Sequence, residues 1–199
     1  GDSVLTLLEE SEPLRSDMVL LAIGVTPDTA LAKDAGLELG IKGSIVVNDR
    51  METSAPDIYA VGDAVAGSIQ LAHAASAQGI NAVSLLAGRY PPMDLTAIPA
   101  CVYTQPEMAS VGRTEAWCKG EGIPVRTAKY LMSGNGRSLI AGADRGFIKV
   151  VSHAGTGVVL GAQLMCARAT DLIGEAALAV AQGLTLAQIA ATIHPHPTF

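Results

Sequence analysis

The chain is 199 residues long, 49% hydrophobic and 16% charged, which gives enough apolar material for one or two packed units and excludes a disordered segment. A formal net charge of −6 leaves no basic stripe for a phosphate backbone, so nucleic acid is excluded as a partner. The longest apolar runs, Met18 to Val25 and Val158 to Met165, are far shorter than the roughly 20 residues a membrane helix needs, and read as buried strands.

In chain order, residues 4–8 and 18–23 are short apolar runs separated by a polar, Pro13-containing turn, as two strands would be. A turn cluster, Gly24 to Asp28, follows the second. Leu37 to Gly43 and the run Ser44-Ile45-Val46-Val47 predict a hairpin-like stretch, and Ile58-Tyr59-Ala60-Val61 another buried strand that stops at Gly62-Asp63. An Ala-rich helix is predicted from about Leu71 to Ala87, with Gly88 as its C-cap.

Pro91-Pro92 marks the internal boundary, because proline continues neither a helix nor a central strand. Beyond it the pattern is a strand at Ala100 to Tyr103, a helix from Glu115 to Gly120, strands near Val125 to Tyr130, Phe147 to Val151 and Val158 to Leu164, and two helices. That order implies an antiparallel sheet with helices on one face. The last helix opens on Thr185-Leu186-Ala187-Gln188, whose end residues can form a reciprocal capping box. Cys101, Cys118 and Cys166 are odd in number and lack zinc spacing, so they read as reduced structural thiols, and no metal site is expected. A cytoplasmic location is the expectation.

Three stretches carry chemistry. Asp63 stands at the end of a predicted strand, where open α/β sheets bind ligands and a carboxylate can accept hydrogen bonds from sugar hydroxyls, although Gly-Asp alone is also an ordinary turn. Gln70 to Gly79 opens a helix whose first amides and positive dipole end can face developing anionic charge. His194-Pro195-His196-Pro197-Thr198 has three readings: a surface histidine pair, a His-x-His metal site, or a catalytic base, since histidine titrates near neutrality.

Taken together, the string Thr53 to Ala64, the run Gln70 to Gly79, the segment Ile98 to Glu107, Gly146 to Val150, Glu175-Ala176-Ala177 and the closing His-x-His-Pro-Thr resemble the pyridine nucleotide-disulfide oxidoreductases, in the family's order and spacing. The closing segment is most similar to the C-terminal half of the dihydrolipoamide dehydrogenases, while glutathione reductase-like members carry a single His before Pro-Thr. The resemblance implies an α/β fold: a tail of the NAD-binding domain (1–24), the closing part of an FAD-binding domain (25–93), and an α+β interface domain with an antiparallel sheet (94–199).

It further implies that Asp63 holds the ribityl chain of FAD and that Leu71, Ala72 and His73, mainly through their backbone, face the flavin. His196 of the partner subunit would serve as base in a homodimer that passes electrons from a dithiol, such as the lipoyl domain of a 2-oxo acid dehydrogenase complex, to NAD. Val25 and Asp28 depart from the residues common in the family, so no contact is assigned to them. The sequence holds no Gly-x-Gly-x-x-Gly loop and no Cys-x4-Cys pair. From this and from its opening Gly1-Asp2-Ser3-Val4, the chain is expected to be a C-terminal fragment, inactive alone and not retaining FAD. A different family member, of glutathione, mercuric or NADH-oxidase type, or a non-catalytic dimerisation module, stays open.

Overall fold

The computed structural model describes residues 4–7, 12–20, 24–90 and 92–199. Leu8, the stretch 21–23 and Pro91, which figure in the expectations above, lie outside them. The fold is mixed α/β. Two short strands, β1 (Val4–Thr6) and β2 (Leu14–Ser16), pair antiparallel with Val4 opposite Ser16. The expected strand over 18–23 is not formed at 18–20: Met18 and Leu20 are 79% and 82% exposed. An apolar run becomes a buried strand only beside a ladder partner, and among the described residues the strands pair only as β1 with β2 and within the five-stranded sheet beyond residue 92, so none lies beside this run.

The next stretch is held by isolated pairings in place of long strands. Helix α1 (Ala30–Asp34) is followed by a 3-10 turn at Ile41–Gly43, across which Leu39 and Ile45 bridge antiparallel, as the hairpin-like reading expects. Ile45 also bridges Val65 in parallel. The expected strand at Ile58 to Val61 shrinks to one bridge, Glu52 to Tyr59, plus the bond from the Ala60 amide to the Met51 carbonyl at 3.1 Å. Ile58 and Val61 stay 40% and 37% exposed, so the apolar run has little to pack on. Ala32, Leu37 and Ile45 form the small core here.

Helix α2 (Ala72–Leu86) runs within a residue of its expected limits and ends on Gly88, whose amide returns to the Leu85 carbonyl at φ +68. No helix among the described residues is long and apolar enough to cross a membrane.

Beyond residue 92 a five-stranded antiparallel sheet is built from β3 (Ala100–Val102), β4 (Glu107–Gly112), β5 (Val125–Leu131), β6 (Phe147–His153) and β7 (Val159–Cys166), in the order β3-β4-β7-β6-β5. The sequence reading missed β4 and the short helix α4 (Gly136–Ile140) between β5 and β6. Helix α3 (Glu115–Gly120) sits between β4 and β5, capped by the Thr114 hydroxyl. Its Glu115 carboxylate bridges Lys149 at 2.6 Å and Lys119 at 2.7 Å, and these two partners hold its pKa down at about 2.

The main core lies between the sheet and helix α5 (Ala169–Ala181). Along β7, Ala162, Leu164 and Cys166 alternate inward with the two-residue period of a strand, while α5 turns Ala169 and Ile173 toward them at helical spacing. Ala109 and Val111 of β4 complete the floor. The β4 and β7 backbones come closest where Gly112 pairs with Gly161: a Cβ on Gly161 would strike the Arg113 backbone and the Val111 carbonyl. Helix α6 (Leu186–Ala190) carries the expected capping box, with both Thr185 and Gln188 side chains engaged.

Among the described residues, side-chain hydrogen bonds of Asn81 and His73 tie α2 to the chain beyond residue 92. Asn81, 6% exposed, donates from Nδ2 to the Met93 carbonyl and accepts the Met93 amide on Oδ1, both at 2.9 Å. His73 donates from Nε2 to the Pro99 carbonyl at 2.7 Å. Replacing Asn81 with Ala strands both backbone groups of Met93, and is expected to cost about 1–3 kcal/mol. Thermal unfolding of Asn81→Ala against the exposed control Val83→Ala measures it; equal melting temperatures for the two would refute the role.

Candidate functional site

The residues singled out by sequence fall into two groups. In the first, Gly62 to Ala64 form a single 3-10 turn laid against α2. Gly62 has φ +76, and a Cβ there would lie 2.9 Å from the Ala75 Cβ, so only glycine lets the turn approach the helix this closely. Its amide donates to Gln78 Oε1 at 2.6 Å, and Gln78 Nε2 donates onward to Ser68 Oγ at 3.0 Å. One nearly buried glutamine of α2 thus holds both ends of the loop that presents Asp63.

Asp63 itself is exposed, and its carboxylate has no hydrogen-bond or ion-pair partner among the described residues. At the neighbouring helix end, Leu71 is the N-cap but supplies no side-chain cap, and the first intrahelical bond runs from the Ala75 amide to the Leu71 carbonyl at 3.0 Å. The amides of Ala72, His73 and Ala74 therefore precede the helical ladder, with no acidic side chain in the first turn to neutralise them. The His73 ring is turned away to Pro99, so at this end His73 offers backbone.

A free carboxylate next to an uncapped helix N-terminus, with a glycine-only approach between them, suits a ligand that carries hydroxyls beside a group bearing delocalised negative charge. The residues fit the hydroxylated chain and electron-poor ring of a flavin.

The second group is the terminal loop. His196 is exposed, and its ring has no hydrogen-bond partner among the described residues. Among the described residues it shares no hydrogen bond with Asp63, Leu71, Ala72 or His73. His194, by contrast, is doubly engaged: Nδ1 meets the Thr192 carbonyl at 2.9 Å and Nε2 meets Glu175 Oε1 at 2.8 Å. The hydrogen bond and charge of Glu175 push the His194 pKa above its ordinary value.

On the far side of His196, Asn135 Nδ2 donates to the Thr198 carbonyl at 3.0 Å, and the Arg137 guanidinium lies 5.6 Å from the centre of the Phe199 ring. Sequence reasoning missed Glu175 and Asn135 as partners of the loop. They lie 19 and 63 residues from the groups they hold, so no local spacing could have signalled them.

The three thiols are free. Cys118 and Cys166 are buried, and desolvation raises the pKa of Cys101 and Cys166, which suits packing and not nucleophilic chemistry. Among the described residues no group of three or more His, Cys, Asp or Glu side chains is placed to hold a metal ion.

Comparison with known proteins matches residues 98–199 to the pyridine nucleotide-disulphide oxidoreductase dimerisation domain, and residues 1–79 to the pyridine nucleotide-disulphide oxidoreductase domain. The dihydrolipoyl dehydrogenase of Bacillus subtilis is 39% identical over 191 residues, covering 95% of this chain and 40% of that protein. The dihydrolipoyl dehydrogenase of Geobacillus stearothermophilus is 43% identical over 194 residues, covering 95% and 40%. This chain therefore spans about two fifths of the length of such relatives.

Among solved structures, LpdA from Mycobacterium tuberculosis superposes with a TM-score of 0.91 at 30% identity, covering 100% of this chain and 44% of that one. The HOCl-induced flavoprotein disulfide reductase RclA of Escherichia coli gives 0.86 at 26% identity, covering 100% and 46%.

Because the candidate flavin contacts here are one carboxylate and one helix end, without a Gly-x-Gly-x-x-Gly loop in the sequence, the purified 199-residue chain is expected to be colourless after gel filtration. A flavin absorbance band that co-elutes with it would overturn this.

Proposed function

Since the chain belongs to the pyridine nucleotide-disulphide oxidoreductase family, we propose that it supplies the flavin-closing and subunit-joining part of an FAD- and NAD-dependent dithiol-disulfide oxidoreductase, of dihydrolipoamide dehydrogenase type. The observation that carries the reading is the terminal loop, in which His196 stands between two prolines with an unengaged ring while the residues on either side are tied down. When bound, FAD supplies the electron transfer between dithiol and nicotinamide.

Around it, this chain's residues bind and move protons. The Asp63 carboxylate would hold FAD by accepting hydrogen bonds from its ribityl hydroxyls. The amides at the start of α2 would lower the cost of negative charge on the flavin ring, as a helix N-terminus does for any anion. Gln78 and the Gly62 contact keep Asp63 and that helix end in one fixed relation.

His196 acts on the substrate. A free thiol has a pKa of about 8.5 and is mostly protonated near neutrality, whereas the thiolate is the reactive form. A histidine beside it takes that proton and then faces the thiolate as an imidazolium. The dithiol is a lipoyl group, carried by a partner domain of a 2-oxo acid dehydrogenase complex. The lipoamide choice rests on the His-x-His pattern, in which His194 precedes the His196 that stands before Pro-Thr, and on the relatives named above. The site lies in a homodimer formed through residues 94–199, where each His196 serves the flavin of the opposite subunit.

Two measurements test this. In the flavin-loaded enzyme, His196→Gln is expected to lower dithiol-dependent turnover by about 10²–10⁴-fold, the usual contribution of general acid-base catalysis, with flavin content unchanged. Turnover within a factor of two of the parent would reject His196 as the base. For the assembly, the sheet unit leaves Tyr103 81%, Ile140 71% and Leu178 57% exposed, apolar side chains that association with a two-fold partner would cover. Sedimentation is expected to show a dimer at micromolar concentration, and a monomer throughout that range would contradict it.

A further inference from the structure

The two ring nitrogens of His194 meet a backbone carbonyl, which can only accept, and the side-chain carboxyl of Glu175. With a hydrogen on both nitrogens the ring is an imidazolium that donates to both partners at once. A cation so held links α5, where Glu175 sits, to Thr192 just beyond the end of α6, and fixes the chain direction one residue before Pro195. Proline locks φ at Pro195 and again at Pro197, so little backbone freedom remains around His196. On the other side the Asn135 amide holds the Thr198 carbonyl. His196 is thus suspended between two anchors, neither of which touches its ring.

From this geometry we infer that Glu175 and His194 are positioning residues, which clamp the terminal loop to α5 and leave the His196 ring free to exchange a proton with substrate. The inference rests on the proton-transfer reading of His196 given above, and adds how that ring is presented.

The clamp has a defined chemical setting. Beside it is a cleft of about 330 Å³ whose α5 wall supplies Leu178 and Ala179 and whose facing wall is Gln188 and Ile189 of α6 with Thr192 just beyond that helix. Leu184 closes it. Of the residues lining that cleft, Glu175 is the only titratable partner facing His194, and the other histidine of the loop is His196 itself. The side chains of His194 and Glu175 are 43% and 54% exposed, so the pair acts by direction more than by strength and is open to solvent ions.

The sign with pH follows from the raised pKa of His194, caused first by its hydrogen bond to Glu175. The clamp is complete below the ordinary histidine value of about 6.5 and is lost as pH rises through the raised value. Loosening of the loop therefore belongs to the alkaline side.

The test reads the ring and the loop before it reads activity. In the 199-residue chain, proton NMR of the ring C–H signals, assigned with His194→Gln and His196→Gln, follows both titrations. His194 is expected to titrate above about 6.5, and Glu175→Gln to bring it back toward that value. In the same variant, backbone order of residues 194–198 should fall while the resonances of the sheet residues stay in place, which separates a released loop from an unfolded protein. A His194 that titrates at or below the ordinary value, or a loop equally ordered in Glu175→Gln, overturns the clamp.

In the flavin-loaded enzyme, Glu175→Gln and His194→Gln are expected to lower kcat several-fold, less than His196→Gln. The dithiol KM should stay unchanged, and the alkaline limb of the pH profile should move to lower pH. Wild-type kcat in Glu175→Gln at every pH would overturn the positioning role even if NMR shows the clamp. An inactive role for His196 would show instead as wild-type turnover in His196→Gln, which sinks the functional reading without touching the NMR result.

Discussion

The contact between α5 and the sheet is the constraint from which the rest of the molecule takes its position. It sets small side chains, Ala109 and Ala162 below and Ala169 above, among the larger Val111, Leu164 and Ile173, so the helix lies close to the strands and has little room to rotate. Its N-terminus is held from below: the Glu107 carboxylate, at the start of β4, accepts both the amide and the hydroxyl of Thr170, at 2.9 and 2.7 Å. Those two bonds also keep the Glu107 pKa below its ordinary value. With α5 fixed in azimuth, Glu175 projects where the terminal loop can reach it, and Leu178 faces the side where α2 and the segment after Pro92 close a groove.

How much of this could be read from the sequence depended on whether the signal was local. Helix α2 and its glycine end were legible, because helical composition and a C-cap residue are features of one segment. The capping box at Thr185 was legible for the same reason. β6 and β7 stood out as apolar runs, but β4 did not: Glu107-Met108-Ala109-Ser110 mixes charge and polarity, because one end serves α5 and only every second residue reaches the core. The run at Met18 misled for the opposite reason. Its composition is that of a strand, and composition does not supply a partner.

The candidate site divides along the same line. Asp63, the start of α2 and the two histidines were found because each sits in a short, characteristic string. The groups that organise them were not. Gln78 lies 16 residues from the glycine it holds, and Glu175 lies 19 from His194; both are polar side chains on Ala-rich helices, and nothing in their neighbourhoods announces what they face. In each case the recognisable residue is presented and the unremarked one does the presenting.

The join at Asn81 has a consequence for chemical ageing. An amide side chain has a direction, with a donor at one end and an acceptor at the other, and Asn81 uses both ends on the backbone of one residue, Met93. Deamidation would change neither its volume nor its shape, yet it would set a carboxylate oxygen against the Met93 carbonyl and put an unpaired charge into a nearly water-free place. A tether tuned to atom type in this way records the loss of one nitrogen as a loosening between the two halves of the chain.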